Sequence, residues 1–218
     1  MLPALLLLTG QRPAYATFAA FVNESGKAIL GVSQGEWTMT YKDGPKDLFL
    51  VQGNSSKETY EKDGKTQGEY VLTSTFATYV DHDEKTFSQV TYDEWRGGWE
   101  RERLAPMKTE GIEIRLATDR GLVFRTDPPV GSARVVVDGK KETLVARVRK
   151  KDGTTWDLEL SRDAKTKLPI EFRLTVGGST KPRIATFVFE RREVLPFELA
   201  VEPETYRDYR KVPFRYGG

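Results

Sequence analysis

The chain has 218 residues, 38% hydrophobic and 30% charged, with 34 basic side chains against 32 acidic ones. That balance is globular rather than disordered, and a formal charge of +2 gives no overall pull toward a polyanion. With no cysteine and one histidine, disulfides, thiolate nucleophiles and Cys-ligated metal centres are excluded together.

Residues 1–16 hold the apolar run Leu5 to Leu8 and then Ala14-Tyr15-Ala16, the small-residue pattern of a signal-peptidase site, so a leader cleaved after Ala16 is expected. No Lys or Arg precedes Arg12, and a buried N-terminal helix is the alternative. No other stretch reaches the roughly 18 consecutive apolar residues that a membrane helix requires. Phe18, Phe21, Val22 and residues 28–30 predict a short helix interrupted near residues 23–26. From Gly35 onward Trp37, Met39 and Tyr41 alternate with Glu36, Thr38 and Thr40, the period of a half-buried strand.

Asp-Gly dipeptides at 43–44, 63–64, 138–139 and 152–153 suit the two positive-φ positions of a type I′ turn, so the chain reads as successive hairpins. Strands are predicted over residues 48–51, 56–61, 70–80 and 86–92, the last two flanking the charged turn 81–85. Residues 93–108 carry Trp95, Trp99, Leu104 and Met107 around a Gly97-Gly98 break and read as a loop with a short helix. Short strands over 112–117 and 122–125 precede Pro128-Pro129, and five more follow over 134–137, 144–150, 155–160, 169–176 and 183–190. In that meander Leu144, Ala146 and Val148 oppose Arg147 and Arg149; Trp156, Leu158 and Leu160 oppose Asp157 and Glu159; Ile170, Phe172 and Leu174 oppose Glu171 and Arg173. A sheet with one apolar face must cover it with helices, a second sheet or a ligand.

The segment from Thr155 through Asp163 and Leu168-Pro169 to Leu174, then residues 184–190 and Leu195-Pro196-Phe197, resembles the C-terminal hairpins of the LolA/LolB/RseB-like family. Asp163, Leu168-Pro169 and Phe197 stand where that family places an acidic turn residue, a Leu-Pro pair and a closing Phe. The leader, the short helix, the strand at Trp37 and the Tyr-rich hairpin ending at Tyr92 agree in general form. The resemblance implies a mainly β fold, an open (half) antiparallel β-barrel capped by a few short helices over an apolar cavity. It also implies an extracytoplasmic, periplasmic setting. The expected organisation is a leader over 1–16, one domain over 17–203 and a basic C-terminal tail over 204–218.

Candidate chemistry is sparse. His82 between Asp81 and Asp83 is the one place where imidazole meets carboxylates, but acids beside a histidine in a tight turn point outward, and a solvated turn is expected. No Gly-x-Ser-x-Gly elbow accompanies the serines. Basic clusters at 140–141, 147–151, 191–192 and 207–211 are interrupted by Glu142, Asp152, Glu193 and Asp208, which favours solvated faces over a phosphate track. No catalytic, cofactor or metal residue is therefore assigned. Trp37, Tyr41, Trp95, Trp99, Trp156, Leu158, Phe172, Phe187 and Phe189 are the expected lining of a hydrophobic ligand cavity, with ordinary core packing as the alternative for each. The expectation is an exported, non-enzymatic carrier of a lipid, acyl chain or lipidated protein, using no cofactor and no nucleic acid. Its alternatives are an envelope sensor binding a protein partner and a carboxylate-based hydrolase. The residues 206–216 form a loose basic tail suited to a membrane surface or a partner.

Overall fold

Ala14, Phe18, Phe21, Val22, Ser25 and Ile29 are all buried and recur at the three- and four-residue steps of one helical face. They belong to a single helix, α1 (Pro3–Leu30), 28 residues long, rather than the short, interrupted one expected. The break expected near 23–26 is absent because the buried Ser25 hydroxyl donates back to the Phe21 carbonyl at 3.1 Å, satisfying itself inside the helix. The computed structural model describes residues 3–42, 44–99, 114–117, 121–124, 130–149, 153–177 and 179–214. Asp43, the stretch 100–113, Pro128-Pro129, Lys151-Asp152 and Arg215-Tyr216, on which several expectations fall, lie outside the described residues. Among the described residues no helix is long and apolar enough to cross a membrane.

The strands are β1 (Gln34–Tyr41), β2 (Lys46–Gln52), β3 (Ser55–Lys62), β4 (Lys65–Leu72), β5 (Phe76–Asp81) and β6 (Thr86–Thr91). A second helix, α2 (Tyr92–Trp99), follows, then β7 (Ile114–Ala117), β8 (Gly121–Phe124), β9 (Val130–Asp138), β10 (Lys141–Arg149), β11 (Thr155–Asp163), β12 (Pro169–Val176), β13 (Arg183–Glu190) and β14 (Arg210–Lys211). Twelve of them form one open, predominantly antiparallel sheet in the order β14-β6-β5-β4-β3-β2-β1-β13-β12-β11-β10-β9, while β7 and β8 pair separately. The sheet is not closed into a barrel.

Two compact units emerge from the contacts, Met1–Gly31 with Lys108–Thr186, and Val32–Met107 with Phe187–Gly218. In the first, Ala14, Phe18, Phe21 and Val22 of α1 pack on Val130, Leu144, Ala146, Val148, Leu158 and Leu160. The expected alternation holds on β10 and β11, where Arg147, Arg149, Asp157 and Glu159 are exposed. It fails at Ile170, which is 40% exposed. A register shift between Ser161 and Arg162 pairs Arg162 with Pro169 and leaves Ile170 as the extra residue, and a bulged residue turns away from its strand's face.

In the second unit, Asp63 and Gly64 both take positive φ, 53° and 73°, between the paired Lys62 and Lys65, which is the type I′ turn expected. The strand expected over 70–80 is two strands. Thr73 breaks it: its hydroxyl oxygen accepts from the amides of Thr75 (3.2 Å) and Phe76 (3.0 Å), a hydroxyl-stabilised turn that no Gly or Pro signals. Cross-strand partners Trp37 and Phe49 stack at 3.7 Å between centroids, with Phe189 at 5.6 Å from Trp37. Gly35, at φ 145°, is required where a Cβ would come within 2.5 Å of the Glu190 carbonyl.

Candidate binding groove under the C-terminal strap

Strand registers of the second unit place Glu36, Leu50, Lys57, Val71, Thr78 and Gln89 in one cross-strand row, with Leu48, Thr59, Glu69, Val80 and Phe87 in the next. Alternation puts both rows on one sheet face. The chain after β13 lies over that face as a strap containing two 3-10 turns, Pro196–Leu199 and Pro203–Tyr206. Val194 and Leu199 bury themselves against Leu50, and Tyr206 packs on Phe87 at 5.0 Å. At the sheet margin β14 pairs in parallel with Thr86 and Phe87 of β6, and Phe214 reaches Tyr70 at 6.4 Å. Of the residues expected to form a loose tail, Arg210 and Lys211 therefore belong to the sheet.

Ion pairs fasten the strap. Arg192 donates to Glu36 at 2.9 Å and pairs with Glu198 at 2.8 Å; Glu198, then Glu36, strengthens its hold on its proton. Arg192, followed by the Leu195 amide, keeps the Glu198 carboxyl below the usual carboxylate range. Lys57 reaches the Ala200 carbonyl at 2.9 Å and Glu69 at 2.6 Å. Glu69 in turn meets His82 Nε2 at 3.0 Å, and His82 Nδ1 meets the Tyr209 hydroxyl at 3.0 Å. The imidazole expected to face solvent is thus 16% exposed with both ring nitrogens engaged. Sequence reasoning placed His82 in its turn correctly but had no signal for Tyr209, 127 positions away.

Between strap and sheet lies a groove of about 350 Å³. Val71, Phe76 and Thr78 contribute its floor, Gln52, Ser55, Thr73 and Gln89 its polar margin, and Leu199, Val201 and Tyr206 its roof. Phe76 is 42% exposed there while Val71 is 6% exposed, so the cleft offers open apolar surface ringed by neutral hydrogen-bonding groups. That composition accommodates an aliphatic guest better than a charged one. Among the described residues no three of His, Cys, Asp and Glu converge as a metal site would need.

The nine aromatic and aliphatic residues expected to line one cavity are distributed differently. Leu158 is in the first unit's core, with Trp156 and Phe172 packed against it beneath α1. In the second unit Trp37 and Phe189 stack, Phe187 is buried and Tyr41 is half-buried. Trp95 on α2 packs on Leu72 and Ala77, with Tyr70, Val90, Tyr92 and Phe214 around it. Trp99 ends α2, and its side chain lies outside the described ones. The residues that do line the groove, Phe76 and Val71 among them, were missed because Thr73 hid the turn that sets their faces. In the closing segment Phe197 is 72% exposed, and Leu199, two residues on, is the one buried.

No protein-family model matches the chain, and no curated protein sequence matches it. Similar solved structures include an uncharacterised conserved protein of Thermus thermophilus, at 13% identity and TM-score 0.48, covering 90% of this chain and 99% of that one. MucB of Pseudomonas aeruginosa, solved in complex with MucA, is similar at 15% identity and TM-score 0.44, covering 85% of this chain. The chain spans 61% of that MucB chain's length. The Mycobacterium tuberculosis lipoprotein LppX is similar at 10% identity and TM-score 0.39, over 82% of this chain and 94% of that one.

Proposed function

We propose that this chain is an extracytoplasmic, non-enzymatic binding protein that shelters an acyl chain of a lipid or lipidated protein in the groove beneath the strap. The observation that carries this reading is the open apolar floor at Phe76 under a roof made of short turns and ion pairs. Moving an acyl chain from water onto such a floor is worth roughly 0.8 kcal/mol per buried methylene. A roof fastened by side chains can lift without breaking the strands below it.

The test is titration of the purified chain with a dansyl-labelled fatty acid. Blue-shifted, saturable emission is expected for the native protein, and its loss in Phe76→Arg with the fold retained. No saturable emission, or equal binding by Phe76→Arg, overturns the reading. A protein partner is favoured by Phe197 and Leu195, 72% and 41% exposed on the strap. In that case Phe197→Ser abolishes a stoichiometric complex and leaves fatty-acid titration unchanged.

A further inference from the structure

Strand β9 ends the sheet, and among the described residues no strand pairs with its outer edge. Val135, Val136 and Val137 are 40%, 43% and 67% exposed, and Gly131 to Asp138 contain neither Lys nor Pro. An exposed, valine-rich edge strand is a template for another strand. The backbone fixes how that strand would bind. Gly139-Lys140 is a two-residue loop between the paired Asp138 and Lys141, so that pair exchanges hydrogen bonds across the hairpin. By alternation the N–H and C=O groups of Val136 and Arg134 also face β10, and those of Val135 and Val137 face outward.

We propose that β9 pairs antiparallel with β9 of a second copy of this chain, about a two-fold axis at Val136. That register sets Val135 opposite Val137 as the hydrogen-bonded pair, using the outward groups, and Val136 opposite itself. It also sets Arg134 of each copy opposite Asp138 of the other, twice over by symmetry. Within the chain, neither Arg134 nor Asp138 has an ion-pair partner among the described residues. Charge complementarity selects this register: centring on Val135 puts Arg134 opposite Val136, and centring on Val137 puts Asp138 opposite Val136. A second copy is the occupant because a single strand supplies both halves of the pairing, apolar centre and opposite charges at its ends.

The test is sedimentation velocity of the full chain across the micromolar to submillimolar range, with two single charge reversals. The native chain is expected to dimerise with concentration. R134D and D138R each place like charges across the axis and weaken self-association on the order of tenfold or more. Mixed in equal amounts, R134D and D138R form a heterodimer, because each Asp then meets an Arg. Val137→Pro, which removes an outward N–H and leaves the β10 ladder whole, is monomeric. A native chain that stays monomeric throughout, a dimer indifferent to R134D, or single variants that fail to associate when mixed overturns the proposal.

Discussion

Arg162 donates to the backbone carbonyl of Phe21 at 2.7 Å across 141 positions of sequence, with its guanidinium 3.7 Å from the centroid of the Phe21 ring. It also pairs with Glu142 at 2.8 Å and Glu24 at 2.6 Å while only 4% of its side chain is exposed. One buried cation thus ties α1, β10 and β11 together. A buried, fully engaged guanidinium is costly to desolvate and costlier to break.

Arg162→Met keeps the aliphatic stem and removes every donor. A loss of about 3 kcal/mol or more in urea unfolding is expected, and a loss within about 0.5 kcal/mol, the range of ordinary surface changes, would show that α1 is held by apolar packing alone. Lys167, and after it Arg162, hold the Glu142 carboxyl below the usual carboxylate range. Its contribution is therefore complete above the unfolded carboxylate value and is lost as pH falls through the depressed folded value. Glu142→Gln should flatten the acid limb of the stability profile.

Asp47 gives the opposite pH dependence. It is 7% exposed between its cross-strand neighbours Met39 and Tyr60, and burial pushes its carboxyl up from 3.8 to about 6. The folded state therefore holds a proton that the unfolded chain releases between these values, so stability falls as pH rises through that window. Asp47→Asn should stabilise the protein by roughly 3 kcal/mol at neutral pH, with the gain gone near pH ~3. An equal effect at both pH values would show that the carboxyl titrates normally.

His82 and Lys57 fasten the strap, and the amides of Arg210 and Val212 donate to Lys85 (3.0 Å) and Phe87 (2.9 Å). Replacing His82 with Ala should speed hydrogen exchange at those two amides by about tenfold, a local opening eased by about 1.4 kcal/mol. Exchange in α1 should stay as it was. Unchanged exchange at Arg210 and Val212 would mean that Tyr206 and Phe214 suffice to hold the segment.

Much of this fold is legible locally. Alternation around Trp37, Leu144 and Leu158 identifies buried strand faces, and Asp63-Gly64 identifies its turn, because each signal is written within a few residues. What escaped is written in pairs far apart. Nothing local to Arg162 announces its role until Phe21 and Glu24 are placed beside it, and residues 206–216 read as a loose tail until Tyr209 meets His82. Thr73 is a third kind of case, a hydroxyl that makes a turn by accepting amides, with no conformationally special residue to announce it. The groove was hidden by this combination: its floor depended on the turn at Thr73 and its roof on the distant strap.

Helix α1 has a consequence for synthesis. Its apolar side, from Ala14 to Val22, is made well before the buried residues packed against it, Val130 and those of β10 and β11. During translation that greasy stripe has no native shelter, and early local collapse cannot supply one. Maturation of the first unit must wait for long-range docking, the slow class of folding event, and a transient guardian for the nascent helix is what such an order of assembly calls for.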